Sequence, residues 1–208
     1  MGKVHEAIAD VLAAELEGRP GWAEDPVLYR LHLRDRRPRL VAVDLGAWMD
    51  GLAMDPAEAL ELAATLMERG GFHAPADDQA GELHGMAFRH EGWGLLPTGG
   101  SFNGTEGFDL ATAAGRLAMH DALEHRVYTR PDRIEVRIMV AVDRAGITYH
   151  AIQRRGDEQA ERLIMFPGAD PDEPHVTGLV VESLDRMVTQ LTGVPAQRRP
   201  VVPTPEMN

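Results

Sequence analysis

Residues 133–143 read "RIEVRIMVAVD", and this stretch decides the fold. Ile134, Val136, Ile138, Val140 and Val142 fall at every second position, and only an extended strand sends alternate side chains to one face. Arg133, Glu135 and Arg137 take the other positions. The alternation therefore predicts a strand with a buried aliphatic face and a more exposed, arginine-bearing face. "DRAG" (143–146) follows as a turn, "ITYHAIQRR" (147–155) returns as an antiparallel partner, and "ERLIMF" (161–166) adds a third strand.

Upstream, the same logic applies twice. In "PVLYRLHLR" (26–34), Val27, Tyr29, Leu31 and Leu33 share a face opposite Arg30, His32 and Arg34. "DRRP" turns the chain and "RLVAVDL" (39–45) comes back. "LHGMAFRH" (83–90) reads as a strand, with "WGLL" (93–96) as its hairpin partner. Helices separate these units. Val4, Ile8, Val11, Leu12 and Leu16 recur at helical spacing until Gly18 and Pro20 stop the run. Asp55 is placed to cap a second helix, with Pro56 at its first position and Leu60, Ala63, Leu66 and Met67 as its apolar stripe. A third helix is expected from near Asp109. A fourth carries Val180, Leu184, Met187, Val188 and Leu191, closed by Gly193 and Pro195.

Short links between strands favour antiparallel pairing over crossovers. The expected class is α+β: an antiparallel sheet of about six or seven strands built from hairpins, packed with about four helices. Residues 1–96 form a helix–hairpin–helix–hairpin half and residues 97–194 a helix–sheet–helix half, either as separate units or as one continuous domain. Residues 195–208 are a proline-rich tail.

The 208 residues carry a formal net charge of −12, with acids spread along the chain. That charge repels nucleic acid and anionic membrane, so neither is expected as a partner. Lys3 is the only lysine, and the arginine, alanine, glycine and proline bias is that of a high-GC bacterial genome. There is no cysteine, which removes disulfides, thiolate metal sites and thiol nucleophiles together. The opening "MGKVHEAIAD" has no long apolar core, and a cytoplasmic location is the expectation.

Among nine histidines, "MHDALEHRV" (119–127) is the densest polar cluster. On a helix, His120 and Glu124 lie one turn apart, as do Asp121 and His125. Asp121 falls on the apolar stripe of Leu110, Ala114 and Leu117, so either a partly buried Asp121–His125 pair forms or the helix unwinds near Met119 and these groups meet water. The spacing matches neither His-Glu-x-x-His nor His-x-x-Glu-His, so a structural role is expected. The alternative is a catalytic set of His120, Asp121, Glu124 and His125. In that version His84 and His90, an even number apart and so on one strand face, join His120 and His125 around a metal.

"PDRIEVR" (131–137) is similar to the Pro-Asp and Glu-x-Lys pieces of one metal-dependent nuclease family. Asp132 and Glu135 are too close in sequence for that pattern, and Arg137 stands where a lysine belongs, so no activity carries over. "PTGGSFNGTEG" has glycines without the lysine of a phosphate loop, and no Gly-x-Ser-x-Gly elbow is present. Trp22, Trp48 and Trp93 read as core anchors, with interface anchors as the alternative. No cofactor is implied. The reading is an acidic binding protein whose partner is another protein or a second copy, contacted through the tail at Arg198, Arg199, Pro200 and Pro203. Its alternative is a metal-dependent hydrolase or small-ligand binder built on residues 120–125.

Overall fold

A computed structural model describes residues 2–43, 55–70, 81–95, 113–129, 131, 133–166 and 178–193. The elements are α1 (Gly2–Glu17), β1 (Val27–Arg34), β2 (Arg37–Ala42), α2 (Pro56–Glu68), β3 (Glu82–Leu95), α3 (Ala113–Tyr128), β4 (Arg133–Asp143), β5 (Thr148–Arg154), β6 (Glu161–Met165) and α4 (Leu179–Thr192). All neighbouring strands pair antiparallel in one six-stranded sheet, ordered β2-β1-β3-β4-β5-β6. The fold is α+β, as the alternation in β4 and its neighbours implies.

Local chemistry explains the element ends. Asp55 accepts hydrogen bonds from the Ala57 and Glu58 backbone N–H groups at 2.8 and 3.4 Å, satisfying donors that the first turn of α2 leaves open. Gly193 adopts φ +69° at the end of α4, a left-handed position where a side chain would be strained. The β1–β2 turn is made by Asp35 and Arg36, both at positive φ, which matches the twist of a two-residue hairpin.

The sheet is covered on both sides. α1 lies against β2, β4, β5 and β6. It buries Ile8, Leu12 and Leu16 on Tyr29, Leu31, Ala87, Met139, Ala141 and Tyr149. α4 covers β3 and β4 from the other side, with α2 packed on α4; Leu60, Ala63, Met67, Leu184 and Met187 meet Leu28, Met86, Phe88, Val140 and Val142 there. A buried polar contact joins the two helices: Glu61 accepts from Ser183 Oγ at 2.8 Å and from Arg186 at 2.6 Å.

This three-layer packing corrects one expectation. Val136, Val140 and Val142 are buried and Ile138 packs beside them, as the alternation requires, while Ile134 at the start of the strand is only half-buried. The opposite face of β4 is not uniformly exposed, because α1 covers it. Arg137 is only 1% exposed, and Met139, Ala141 and Asp143 are buried with it, while Arg133 remains exposed. Arg30 and His32 on β1 are also buried.

The expected hairpin between "LHGMAFRH" and "WGLL" does not form. Residues 82–95 are one strand whose ladder with β4 runs from Gly85↔Asp143 to Leu95↔Arg133. A turn at residues 90–92 would break this ladder in its middle, so the long partner strand keeps β3 straight.

Candidate functional site

The sequence cluster on α3 is only partly assembled. Asp121 and His125 are both exposed, so Asp121 is not on a buried stripe, and the apolar periodicity does not extend to it. The side chain of Glu124 lies outside the described residues. His120 takes a different partner: its Nε2 is 2.9 Å from Oδ1 of Asp55, the cap of α2. Burial pushes the Asp55 carboxyl up, but the His120 hydrogen bond and charge, with two backbone N–H groups, outweigh it and hold Asp55 below the usual range. His90 stacks on Phe88 with ring centroids 5.5 Å apart and feels both Asp55 and His120. Burial lowers its pKa, so it is neutral near pH 7.

His84 is not part of this group. The β1–β3 register shifts between Leu31 and His32, pairing Leu31 with Gly85 and His32 with Leu83, so that His84 is an extra residue. The bulge reverses the alternation. His84 reaches Asp143 on the α1 side, while His90 faces the α2–α4 side. A Cβ at Gly85 would collide with the Val142 carbonyl, so the close approach at the bulge requires glycine. Among the described residues, no three His, Asp or Glu side chains form a group able to hold a metal.

Two assemblies that the sequence did not announce are better built. The first lies under the start of α1. His5 Nδ1 is 2.7 Å from the Tyr149 hydroxyl, which donates to Asp143 Oδ2 at 2.9 Å. The other carboxylate oxygen of Asp143 holds the β4–β5 turn through the N–H groups of Ala145 and Ile147 at 2.8 and 2.9 Å. Burial first, then the Asp143 charge, raises the pKa of Tyr149, and burial lowers that of His5. Read from sequence, Asp143 was only part of a turn, and nothing singled out His5.

The second lies at the end of α1. Arg137 reaches from β4 to the carbonyls of Leu16 (3.0 Å) and Gly21, and its Nε lies 3.2 Å from Glu91. Leu16 is in the last turn of α1, where the dipole end is negative; its carbonyl accepts from the Arg19 N–H at 3.2 Å, and the buried guanidinium adds a second, charged donor there. Arg89 binds Glu24 (2.9 Å) and the Asp25 carbonyl (3.0 Å), and together the two arginines tie residues 18–26 to the sheet. Trp22 closes the arrangement. The guanidinium carbon of Arg137 stands 4.7 Å, and that of Arg155 5.7 Å, from its ring centroid.

Beyond Trp22 this assembly becomes surface. Arg155 pairs with Glu135, the cross-strand neighbour of Trp93. Trp93 is 40% exposed, with Arg133 stacked on its ring at 4.7 Å. Trp93, exposed, and Trp22, half-buried, are therefore not core anchors; Trp48 lies outside the described residues. Arg198, Arg199, Pro200 and Pro203 also lie outside them.

Comparison with protein-family models, curated proteins and solved structures finds no match for the chain. No helix among the described residues is long and apolar enough to cross a membrane.

Proposed function

We propose that this protein works by binding another protein chain, and that the contact is centred on Trp93, Arg133, Trp22 and Arg155. The observation that supports the reading is Trp93: a large ring, 40% exposed at the end of the sheet's long central strand, under an arginine. Tryptophan and arginine are the residues most enriched at the energetic centres of protein interfaces, because each offers a large rigid contact area and a fixed polar edge. Here both rings carry guanidinium groups, and ladder pairing and ion pairs hold them in place, so little side-chain freedom is lost on binding. The hydrolase alternative has less support. Its histidines divide between the two sides of the sheet, and Asp121 and His125 are exposed, while His120 pairs with Asp55.

A photoreactive phenylalanine at position 93 tests the reading in producing cells. The expected result is one discrete cross-linked species, either a second copy or one other protein. Arg155→Glu should reduce its yield about tenfold without changing the melting temperature, as loss of about 1.4 kcal/mol of contact implies. Unselective adducts, or an unchanged yield in Arg155→Glu, would overturn it.

A further inference from the structure

We infer that the open edge of β2 is a docking surface for an acidic, extended segment of another protein, which adds to the sheet as a further antiparallel strand. β2 ends the strand order, and among the described residues no strand pairs with its outer side. The β1–β2 hairpin carries Arg34, Arg36, Arg37 and Arg39, all exposed. Among the described residues their side chains make no ion pair or hydrogen bond. Elsewhere the surface arginines of the sheet have partners: Arg144 binds Glu82, Arg154 binds Glu161, Arg155 binds Glu135, Arg162 binds Asp10, and Arg133 stacks on Trp93. The chain has a net charge of −12, so acids are plentiful, yet these four arginines stay unneutralised.

The register fixes which backbone groups the edge offers. Asp35 and Arg36 form a two-residue turn, so Arg34 and Arg37 exchange hydrogen bonds, and the exchange recurs at His32↔Arg39 and Arg30↔Val41. Val43 continues the pattern, its N–H donating to the Leu28 carbonyl at 2.8 Å. The residues between these, Pro38, Leu40 and Ala42, therefore turn their backbone groups to the open side. Pro38 has no N–H, so Leu40 and Ala42 supply the donors and all three supply carbonyls.

The side chains sort by the same period. Arg37 and Arg39 share the face of Arg34, about 7 Å apart along the strand. Leu40 is half-buried and packs on the other face, beside the α1 core. All the strands of this sheet pair antiparallel, and an antiparallel addition sets each new residue directly opposite one of β2. Acids then oppose Arg37 and Arg39, and an apolar residue opposes Leu40. The segment recognised is one in which acidic and apolar residues alternate.

Charge also decides against other occupants. Pairing with the β2 edge of a second copy would set arginine against arginine, the usual means by which an edge strand avoids its own kind, and the same charges select a partner of opposite sign. A nucleic acid would match the arginines but not the row of backbone donors and acceptors, and the net negative charge of the chain repels it. The surface is separate from the one centred on Trp93: Leu33 pairs with Glu82 at the start of β3, and Trp93 lies near the other end of that strand.

A fluorescent peptide that alternates glutamate and valine, titrated with the full chain and followed by anisotropy, tests the inference. The expected result is saturable binding that protects the Leu40 and Ala42 amides from hydrogen exchange, because these N–H groups face the added strand. N-methylation of the peptide's valines, which oppose Leu40, should abolish binding, whereas N-methylation of its glutamates should not. Arg39→Glu should weaken binding about tenfold, because it turns a cross-strand attraction into a repulsion. Arg69→Glu, at an exposed position at the end of α2, makes the same change of net charge and should weaken it less than about twofold. The inference is overturned if the peptide fails to bind at about 1 mM, if an oligothymidylate of equal charge binds as tightly, or if the two substitutions act alike. It is equally overturned if the N-methylvaline peptide still binds or the Leu40 amide gains no protection.

Discussion

Arg137→Gln is the sharpest test of how this fold is held together, because sequence and structure assign the residue opposite roles. As a solvent-facing strand arginine, its loss would change stability by about 0.5 kcal/mol or less. In the structure it is 1% exposed and serves the Leu16 and Gly21 carbonyls, Glu91 and the face of Trp22. Glutamine is too short to reach the end of α1. Those carbonyls and the largely buried Glu91 carboxylate would lose their cation, and removing one partner of a buried pair costs about 3–5 kcal/mol. Against a total stability of about 5–15 kcal/mol, this is a large fraction. Arg137→Lys keeps the charge but loses the forked donor, and should cost about 1.5–3 kcal/mol, the worth of a charged hydrogen bond. Arg133→Gln, on the same strand face but exposed, is the control and should cost under about 1 kcal/mol. Urea unfolding followed by circular dichroism ranks the three. If Arg137→Gln fell within about 1 kcal/mol of wild type, the capping argument would be wrong.

His150 is 3% exposed on β5, its Nε2 lacks a partner, and burial lowers its pKa to about 4. A base depressed in the folded state binds its proton in the unfolded chain first, so stability is full above the ordinary value of 6.5 and declines as pH falls toward about 4. The loss attributable to His150 is about 3 kcal/mol; denaturant melts across this range should show it, and His150→Leu should reduce the slope by that share, leaving the contributions of His5 and His90, whose pKa values burial also lowers. Asp55→Ala should cost about 1–2 kcal/mol through the lost α2 cap, whereas Asp55→Asn, which still caps, should cost less; equal losses measured by thermal melting would place the main contribution in the His120 pair instead. Arg36→Gly should raise stability by about 1 kcal/mol by relieving its left-handed backbone conformation, and an unchanged or lower melting temperature would count against that turn geometry.

The sequence alone determined most of the elements and their class. Helix spacing in residues 4–16 and 180–191, the Asp55 cap and the strand alternation of 134–142 are local properties, set by backbone geometry and by which side chains share a face. Even the two-sided burial of β4 left a trace: "IMVAV" (138–142) is unbroken apolar sequence, the mark of a strand covered on both faces, and the alternating arginines apply only to its first half. Other features depend on what lies across the sheet. Arg133, Glu135 and Arg137 share a face and a spacing, yet only Arg137 lies beneath the end of α1, where the carbonyls of Leu16 and Gly21 and the negative end of the helix dipole make a buried cation favourable. One bulged residue at His84 reverses the strand's alternation, separates His84 from His90 and places it beside Asp143. Asp55 and His120 are 65 positions apart, a pairing that no local spacing encodes. Local propensity sets which way each side chain points along its own element, whereas tertiary packing decides what it meets there, and that meeting sets its charge, burial and chemistry.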